Sequence, residues 1–332
     1  MRTLGWDPPG TATLDAAGEE LMLARLVAMA GADGEVPPGD DAAGWRQEGG
    51  TGLISTDSMV EGVHFRRGFQ SPYQLGRKAW AQAASDLAAM GAWPLLGVVA
   101  AVFPGSTPAA VVEAVQLGLV EAAEAVGASV VGGDLSSGPV ILLSVTVVGS
   151  TRDGTPVRLG GARPGDLLVT TGRLGCAAAA LAALESGDQG DAVPASWVER
   201  LLVPTARLEE GEQLRRRGCS ALTDLSDGLL LDAGRMARAS GVAVELWADR
   251  LCPPGSRPDL QLVLTGGEDY ELLAAVPSPG LDPLLAGWPA DLAELRLVGS
   301  VAAGQSVVVL DRLGGSPLSL GAELGYQHFR SS

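Results

Sequence analysis

The spacing of apolar residues predicts a helix over residues 14–30, with acidic Glu19 and Glu20 near its start. Capping and stop residues bound further helices over 71–90, 107–126, 174–185 and 229–239. Between them, short runs rich in Val, Ile and Leu read as strands: 52–57, 96–103, 139–148, 166–171, 221–224, 242–247, 261–265, 271–276, 296–301 and 306–310. Residues 129–131 run into Gly132-Gly133-Asp134. By composition, residues 31–41, 149–165 and 186–195 are loops.

The punctuation is specific. Ser71-Pro72 supplies a cap and a proline at the first helical position, and Gly91, Gly127 and Gly241 stand where three of the helices should stop. The run at 139–148 has the two-sided apolar content of a strand buried on both faces. Strands alternating with helices give a mixed α/β fold. The turn-rich patch after residue 149 places a boundary near 150, so an N-terminal domain spans 1–150 and a C-terminal domain 151–332. No aligned internal repeat relates the two.

Composition removes several classes of function. A net charge of −16 argues against a nucleic-acid partner, which needs clustered cations. A small anionic ligand would also be repelled, so a phosphate site here must bring its own cations. Lys78 is the single lysine and is followed by Ala79, so the chain contains no P-loop. Cys176, Cys219 and Cys252 form neither a C-x-x-C pair nor an even set, and only His64 and His328 accompany them, which argues against zinc. Residues 1–10 lack a basic segment followed by an apolar run, and no stretch of 18 apolar residues occurs. The expected setting is cytoplasmic, without a membrane segment.

Aspartates flanked by Gly, Ser or Thr recur instead: Gly39-Asp40-Asp41, Ser55-Thr56-Asp57, Ser85-Asp86, Gly132-Gly133-Asp134, Asp224-Leu225-Ser226-Asp227-Gly228 and Gly266-Gly267-Glu268-Asp269. Mg²⁺ takes oxygen ligands and commonly accompanies phosphate. Single motifs of this kind also serve as turns and helix caps, so Asp40 and the Ser226-Asp227 pair have both readings. Asp86 differs, because it falls on the stripe of Leu75, Ala79, Ala83, Leu87 and Met90 with no Arg or Lys one turn away. A carboxylate there needs a partner from elsewhere in the fold.

Asp57 and Asp134 are placed after strands, at the ends where ligands gather in α/β sheets, and could share a cation. Gly132-Gly133 offers amides to a phosphate or simply makes a turn. His64 reads as a substrate contact or a solvated loop histidine. Residues 268–271 read as an acidic recognition loop or a hairpin tip, and Arg158 and Arg163 as phosphate contacts or surface arginines.

In order and spacing these motifs resemble the thiamine-monophosphate kinase family. Gly62-Val63-His64-Phe65, Leu87-Ala88-Ala89-Met90-Gly91-Ala92 after Ser85-Asp86, Tyr270-Glu271-Leu272 and the closing Gly325-Tyr326-Gln327-His328-Phe329 extend the resemblance along nearly the whole chain. It implies an aminoimidazole-ribonucleotide-synthetase-like fold, with an N-terminal sheet that pairs across a homodimer and a C-terminal domain that closes over ATP. The implied reaction converts ATP and thiamine monophosphate to ADP and thiamine diphosphate. By motif, Asp41, Ser55, Thr56, Asp57, Asp86, Asp134, Asp224 and Asp227 would hold several Mg²⁺ ions. Gly133, Asp134, Arg158 and Ser226 would contact ATP, and His64, Glu268 and Tyr326 the thiamine monophosphate.

Pro37-Pro38, Ala83 and Leu135 depart from the family pattern without removing an acid. No general base is expected, because the acceptor phosphate is already ionised near neutral pH. Five of the six acidic stretches therefore read as a metal cage, and Gly266-Gly267-Glu268-Asp269 as the loop that recognises the cationic thiamine end. The rival readings are a carbonyl-activating synthetase of the same superfamily and a non-catalytic sensor. No Cys in the N-terminal region argues against selenophosphate synthesis.

Overall fold

The computed structural model describes residues 36, 40–47, 50–187, 193–252, 258–319 and 325–326. The helix expected over 14–30, Pro37-Pro38, Gly39, parts of the loops at 31–41 and 186–195, and Gln327-His328-Phe329 lie outside the described residues.

Two sheets organise the described residues. The first has the strand order β1-β2-β5-β3-β4 and contains β1 (Ala43–Gln47), β2 (Gly50–Val60), β3 (Trp93–Phe103), β4 (Ser129–Ser137) and β5 (Leu142–Ser150). Helix α1 (Pro72–Ala89) precedes β3, and α2 (Ala109–Ala125) carries the chain from β3 to its parallel neighbour β4. Ser71 caps α1 in a full capping box with Gln74, Pro72 opens the helix, and Gly91 follows it at φ +66°.

Both helices pack on one face of this sheet, around Leu53, Trp80, Leu87, Leu143, Val145 and Val147. Strand β5 is therefore buried on alternate residues only, which corrects the expectation of burial on both faces. Its length and Val content reflect pairing with β2 on one side and β3 on the other.

The second sheet, ordered β11-β8-β10-β6-β9-β7, uses β6 (Leu167–Thr171), β7 (Ala221–Leu225), β8 (Ala243–Trp247), β9 (Glu271–Val276), β10 (Leu295–Ala302) and β11 (Val307–Leu310). Around it lie α3 (Cys176–Ser186), α4 (Ala195–Leu202), α5 (Leu208–Arg216), α6 (Leu229–Ser240), α7 (Ala248–Leu251), α8 (Leu260–Thr265) and α9 (Ser278–Ala286).

Residues 261–265, a strand by their apolar run, form α8 instead. Asp259 accepts the Leu262 N–H at 2.9 Å and nucleates a helical turn, a signal that outweighs a short apolar run. Helices α4, α5 and α9 had no sequence expectation. Helix α5 packs against α1, where Gly211 lies so close to the Ala88 carbonyl that a Cβ there would clash with it, so the two sheets are joined through α1. Among the described residues no helix is long and apolar enough to cross a membrane.

Candidate active site

A cavity of about 810 Å³ opens where α1 meets the loops of both sheets. Its lining includes Asp41, Thr56, Asp57, His64, Asp86, Asp224, Ser226, Asp227, Glu268 and Tyr326, so ten residues singled out from sequence converge there.

The Ser85-Asp86 pair on α1 explains how the two halves meet. Ser85 is fully buried and donates to Asp224 Oδ2 at 2.6 Å, and Ser55 on β2 donates to Asp86 Oδ2. Thr223 donates to Asp41 Oδ1 at 3.2 Å. Each hydroxyl thus steadies a carboxylate from a distant part of the chain. These contacts also answer what partners Asp86: a serine from β2.

The acids press on one another. Burial, then the Asp224 and Asp40 carboxylates, hold Asp41 well above the usual carboxylate range. Asp86 is raised well above it by burial and by Asp224 and Asp57. Asp224 is pushed up to about 6 by burial, with Asp57 and Asp227 adding to the rise against the Ser85 hydrogen bond. Asp41 Oδ2 is buried with no hydrogen-bond partner among the described residues. Such a set is short of positive charge.

These carboxylates and an orphaned oxygen suit a hard divalent cation. Among the described residues no three of the acids stand close enough to enclose one ion, so the cluster is open rather than a closed cage. That matches Mg²⁺, which usually takes one or two carboxylates and completes its shell with water and phosphate oxygens.

Several placements differ from expectation. Asp57 and Asp134 lie within β2 and β4, not after them, because pairing with β5 and β3 carries both strands onward. Asp57 shares the face of the inward-pointing Leu53 and Met59, whereas Asp134 shares a register row with Ala100, Ser144 and Ser58 on the opposite face. The two strands are three spacings apart, about 14 Å. Within one chain they do not share a cation.

Gly133 and Asp134 are exposed on the edge strand, outside the cavity, with Ser136 donating to Asp134 at 2.8 Å. Thr56 lines the cavity, and its hydroxyl accepts from Thr146 at 2.9 Å on the sheet's outer face. Strand β1 pairs β2 only as far as Ile54, so beyond it the backbone edge of β2 borders the cavity.

Arg158 lines a second cavity of about 870 Å³ with Arg215, Arg216 and Asp153. Asp40 accepts the Leu159 and Asp41 backbone N–H groups at 2.9 and 3.1 Å, which supports its reading as a turn residue. Residues 268–271 are not a solvated hairpin tip. Asp269 accepts the Gly175 N–H at 2.7 Å, and Glu271 is 1% exposed and held by Arg207 at 2.6 and 2.7 Å, because it ties α4, α5 and β6 together. His64 Nδ1 accepts the Val60 N–H at 3.0 Å, which leaves Nε2 as the protonated nitrogen.

Several lining residues carried no sequence expectation. Arg235 pairs with Asp227 at 2.6 Å and Asp232 at 2.8 Å, Lys78 pairs with Glu268 at 2.8 Å, and Phe69, Gln70, Gln82 and Tyr270 complete the wall. Gln82 Oε1 and Gln70 Nε2 are buried without partners among the described residues. For Lys78 and Gln82 a sequence signal existed: with Asp86 they recur every fourth residue along α1.

Comparison with known proteins agrees with this arrangement. A family model described as AIR synthase related protein, N-terminal domain, matches residues 39–151, and its C-terminal counterpart matches 163–312. Thiamine-monophosphate kinase of Mycobacterium tuberculosis (strain H37Rv) is 36% identical over 312 residues, covering 90% of this chain and 89% of that one. The Escherichia coli (strain K12) protein of that name is 36% identical over 275 residues, 79% and 83% of the two chains. The solved structure of AaThiL complexed with AMPPCP and TMP superposes with a TM-score of 0.82 at 29% identity, covering 96% of this chain and all of that one. E. coli HypE, at 21% identity and a TM-score of 0.69 over 94% and 99% of the two chains, shares the fold.

Proposed function

The chain belongs to the thiamine-monophosphate kinase family, and we propose that it transfers the γ-phosphoryl group of ATP to the phosphate of thiamine monophosphate, giving thiamine diphosphate. The observation that carries this reading is the single cavity in which Asp41, Asp57, Asp86, Asp224 and Asp227, drawn from both halves of the chain, meet His64, Phe69, Glu268 and Tyr326. Residues 1–150 supply Asp41, Asp57 and Asp86 together with a face for nucleotide. Residues 151–332 supply Asp224, Ser226, Asp227 and the acceptor contacts Glu268 and Tyr326, while His64 comes from the first half.

Both reactants are anions, so repulsion between them is the main obstacle to transfer. Mg²⁺ ions bound by Asp41, Asp57, Asp86, Asp224 and Asp227, with Ser55 and Thr56 contributing, would neutralise the phosphates. The protein's own task is positioning. Ser85 and Ser55 hold Asp224 and Asp86 in place, and the Tyr326 N–H anchors to the Asp227 carbonyl at 2.9 Å, which places an aromatic ring at the cavity wall. The acceptor oxygen is ionised near neutral pH, its second pKa being about 6, so direct in-line attack proceeds without a general base.

Gly133, Asp134 and Arg158 then belong to nucleotide contacts away from the acid cluster. A Cβ at Gly133 would lie 2.0 Å from the Val99 carbonyl, so glycine permits the close approach of β4 to β3 that displays this edge. The outer sheet face exposes Ile54 and Val98, apolar surface that supports a homodimer.

Incubation with Mg²⁺, ATP and thiamine monophosphate, with thiamine diphosphate read by chromatography, tests the proposal. Folded protein that forms no product refutes it. Tight binding of both ligands without product favours a sensor.

A further inference from the structure

Lys78 is the single lysine among 332 residues, and the phosphoryl transfer derived above gives it no task. It is 2% exposed, yet it lines the cavity from the middle of α1, and its Nζ donates to Glu268 Oε2 at 2.8 Å. A buried ammonium requires such a counter-charge. The partner comes from 190 residues further along the chain, so this contact crosses from the first half of the molecule to the second.

Glu268 is itself unusual. With Tyr270 it forms the pair of non-glycine residues at positive φ among the described residues, +67° and +48°. That conformation is disfavoured for L-residues and persists where surrounding contacts over-determine it. Here the Glu268 N–H is taken by the Ser226 carbonyl at 2.7 Å and the Tyr270 N–H by the Leu225 carbonyl at 2.9 Å. Those bonds set the backbone. The direction of the carboxylate is set by Lys78.

We infer that Lys78 is a positioning residue for the organic part of the acceptor, acting through Glu268; this rests on thiamine monophosphate being the acceptor. One ammonium occupies part of a carboxylate that can accept about four hydrogen bonds, so Glu268 retains capacity for a cationic ring or its amino group. Direct contact of Lys78 with the transferred phosphoryl group fits less well. Eight residues of helix separate Lys78 from Asp86, a rise of about 12 Å, and side chains lean toward the helix N-terminus, away from the acid cluster.

The test compares thiamine, a cation without phosphate, with thiamine monophosphate as calorimetric ligands for the full-length wild type, Lys78→Ala, Lys78→Arg, Glu268→Gln and the double variant Lys78→Ala/Glu268→Gln. Steady-state kinetics accompany the titrations. Lys78→Ala should weaken both ligands by the same factor, about 10-fold or more, as for loss of a charged hydrogen bond. It should raise KM for thiamine monophosphate with kcat within about threefold, because only ground-state and transition-state binding of the organic part is lost equally. Lys78→Arg should recover part of the loss, and the double variant should be no weaker than Glu268→Gln alone.

Weakening of thiamine monophosphate alone, additive losses in the double variant, or unchanged affinity for both ligands would each overturn the assignment. If Lys78→Ala does not fold, Lys78→Met keeps the stem's packing and carries the same comparison. Failure of the kinase reading is separate, since wild-type protein would then form no thiamine diphosphate whatever the titrations of the variants show.

Discussion

Replacing Asp224 by Asn should make the metal-free protein more stable while abolishing its activity. Asp224 is 6% exposed, and burial with the Asp57 and Asp227 carboxylates lifts its pKa from 3.8 to about 6. The folded state therefore holds a proton that the unfolded chain releases, and ionising Asp224 above pH 6 costs the fold up to about 3 kcal/mol, at 1.36 kcal/mol per unit. Asparagine has nothing to ionise, and its amide oxygen can still accept from Ser85.

In EDTA at pH 8 the variant should melt up to about 4 °C above wild type, taking about 1.4 °C per kcal/mol from an unfolding entropy of about 2.1 cal/mol/K per residue over 332 residues. At pH 4, close to the unfolded carboxyl's pKa of 3.8, the gap should shrink to under about 1 kcal/mol. Saturating Mg²⁺ should reverse the order, because an ion at about 1,000 times its Kd adds about 4.1 kcal/mol to the wild type that the variant has lost a ligand to receive. Calorimetric melting at both pH values, with and without Mg²⁺, reads all of this. An Asp224→Asn variant that is less stable than wild type in EDTA at pH 8 would refute the account of repulsion among the acids.

Three further outcomes follow from other parts of the molecule. Asp57→Asn should lower kcat by at least about 10²-fold, as for other lost electrostatic groups, with the melting temperature within a few degrees of wild type; near-normal turnover would remove Asp57 from the reaction. Burial pushes Asp269 up to about 8 against its hydrogen bond from Gly175, so between pH 4 and 8 stability falls as pH rises. Asp269→Asn should flatten that slope, gaining on wild type at pH 8.5 relative to pH 5 in denaturant titrations, and parallel curves at the two pH values would count against it. Gly76→Ala would place a Cβ 2.0 Å from the Val115 carbonyl where α1 crosses α2, and should destabilise by about 1–3 kcal/mol as overpacking does, measured by urea unfolding.

What could be read from the sequence and what could not divide along a physical line. Local signals were sufficient for the caps of α1, for the glycines that end α1, α2 and α6, and for most strands, because each depends on residues within one turn of itself. They failed at α8, where a six-residue apolar run is ambiguous and an aspartate cap tips it toward helix. They also gave nothing for α4, α5 and α9, whose eight or nine residues are too few for an apolar period to stand out.

The acids were identifiable because turn chemistry alone does not account for so many of them in an acidic chain with one lysine. Their grouping was not. Asp57 and Asp134 look equivalent in sequence, yet strand parity and sheet order put them on opposite faces about 14 Å apart. Residues 268–271 look like one acidic loop, yet Glu268 faces the cavity with Lys78 while Glu271 is buried among arginines.

By itself, then, the sequence determined the family, the alternation of helices and strands, and the kind of ligand, since residue chemistry and short-range spacing carry that information. The tertiary structure decided which carboxylates meet, which serine steadies each of them, and that Lys78 and Glu268 meet across 190 residues. Those contacts arise from the packing of α1 between two sheets, and a pairing between segments so far apart leaves no periodicity along the chain.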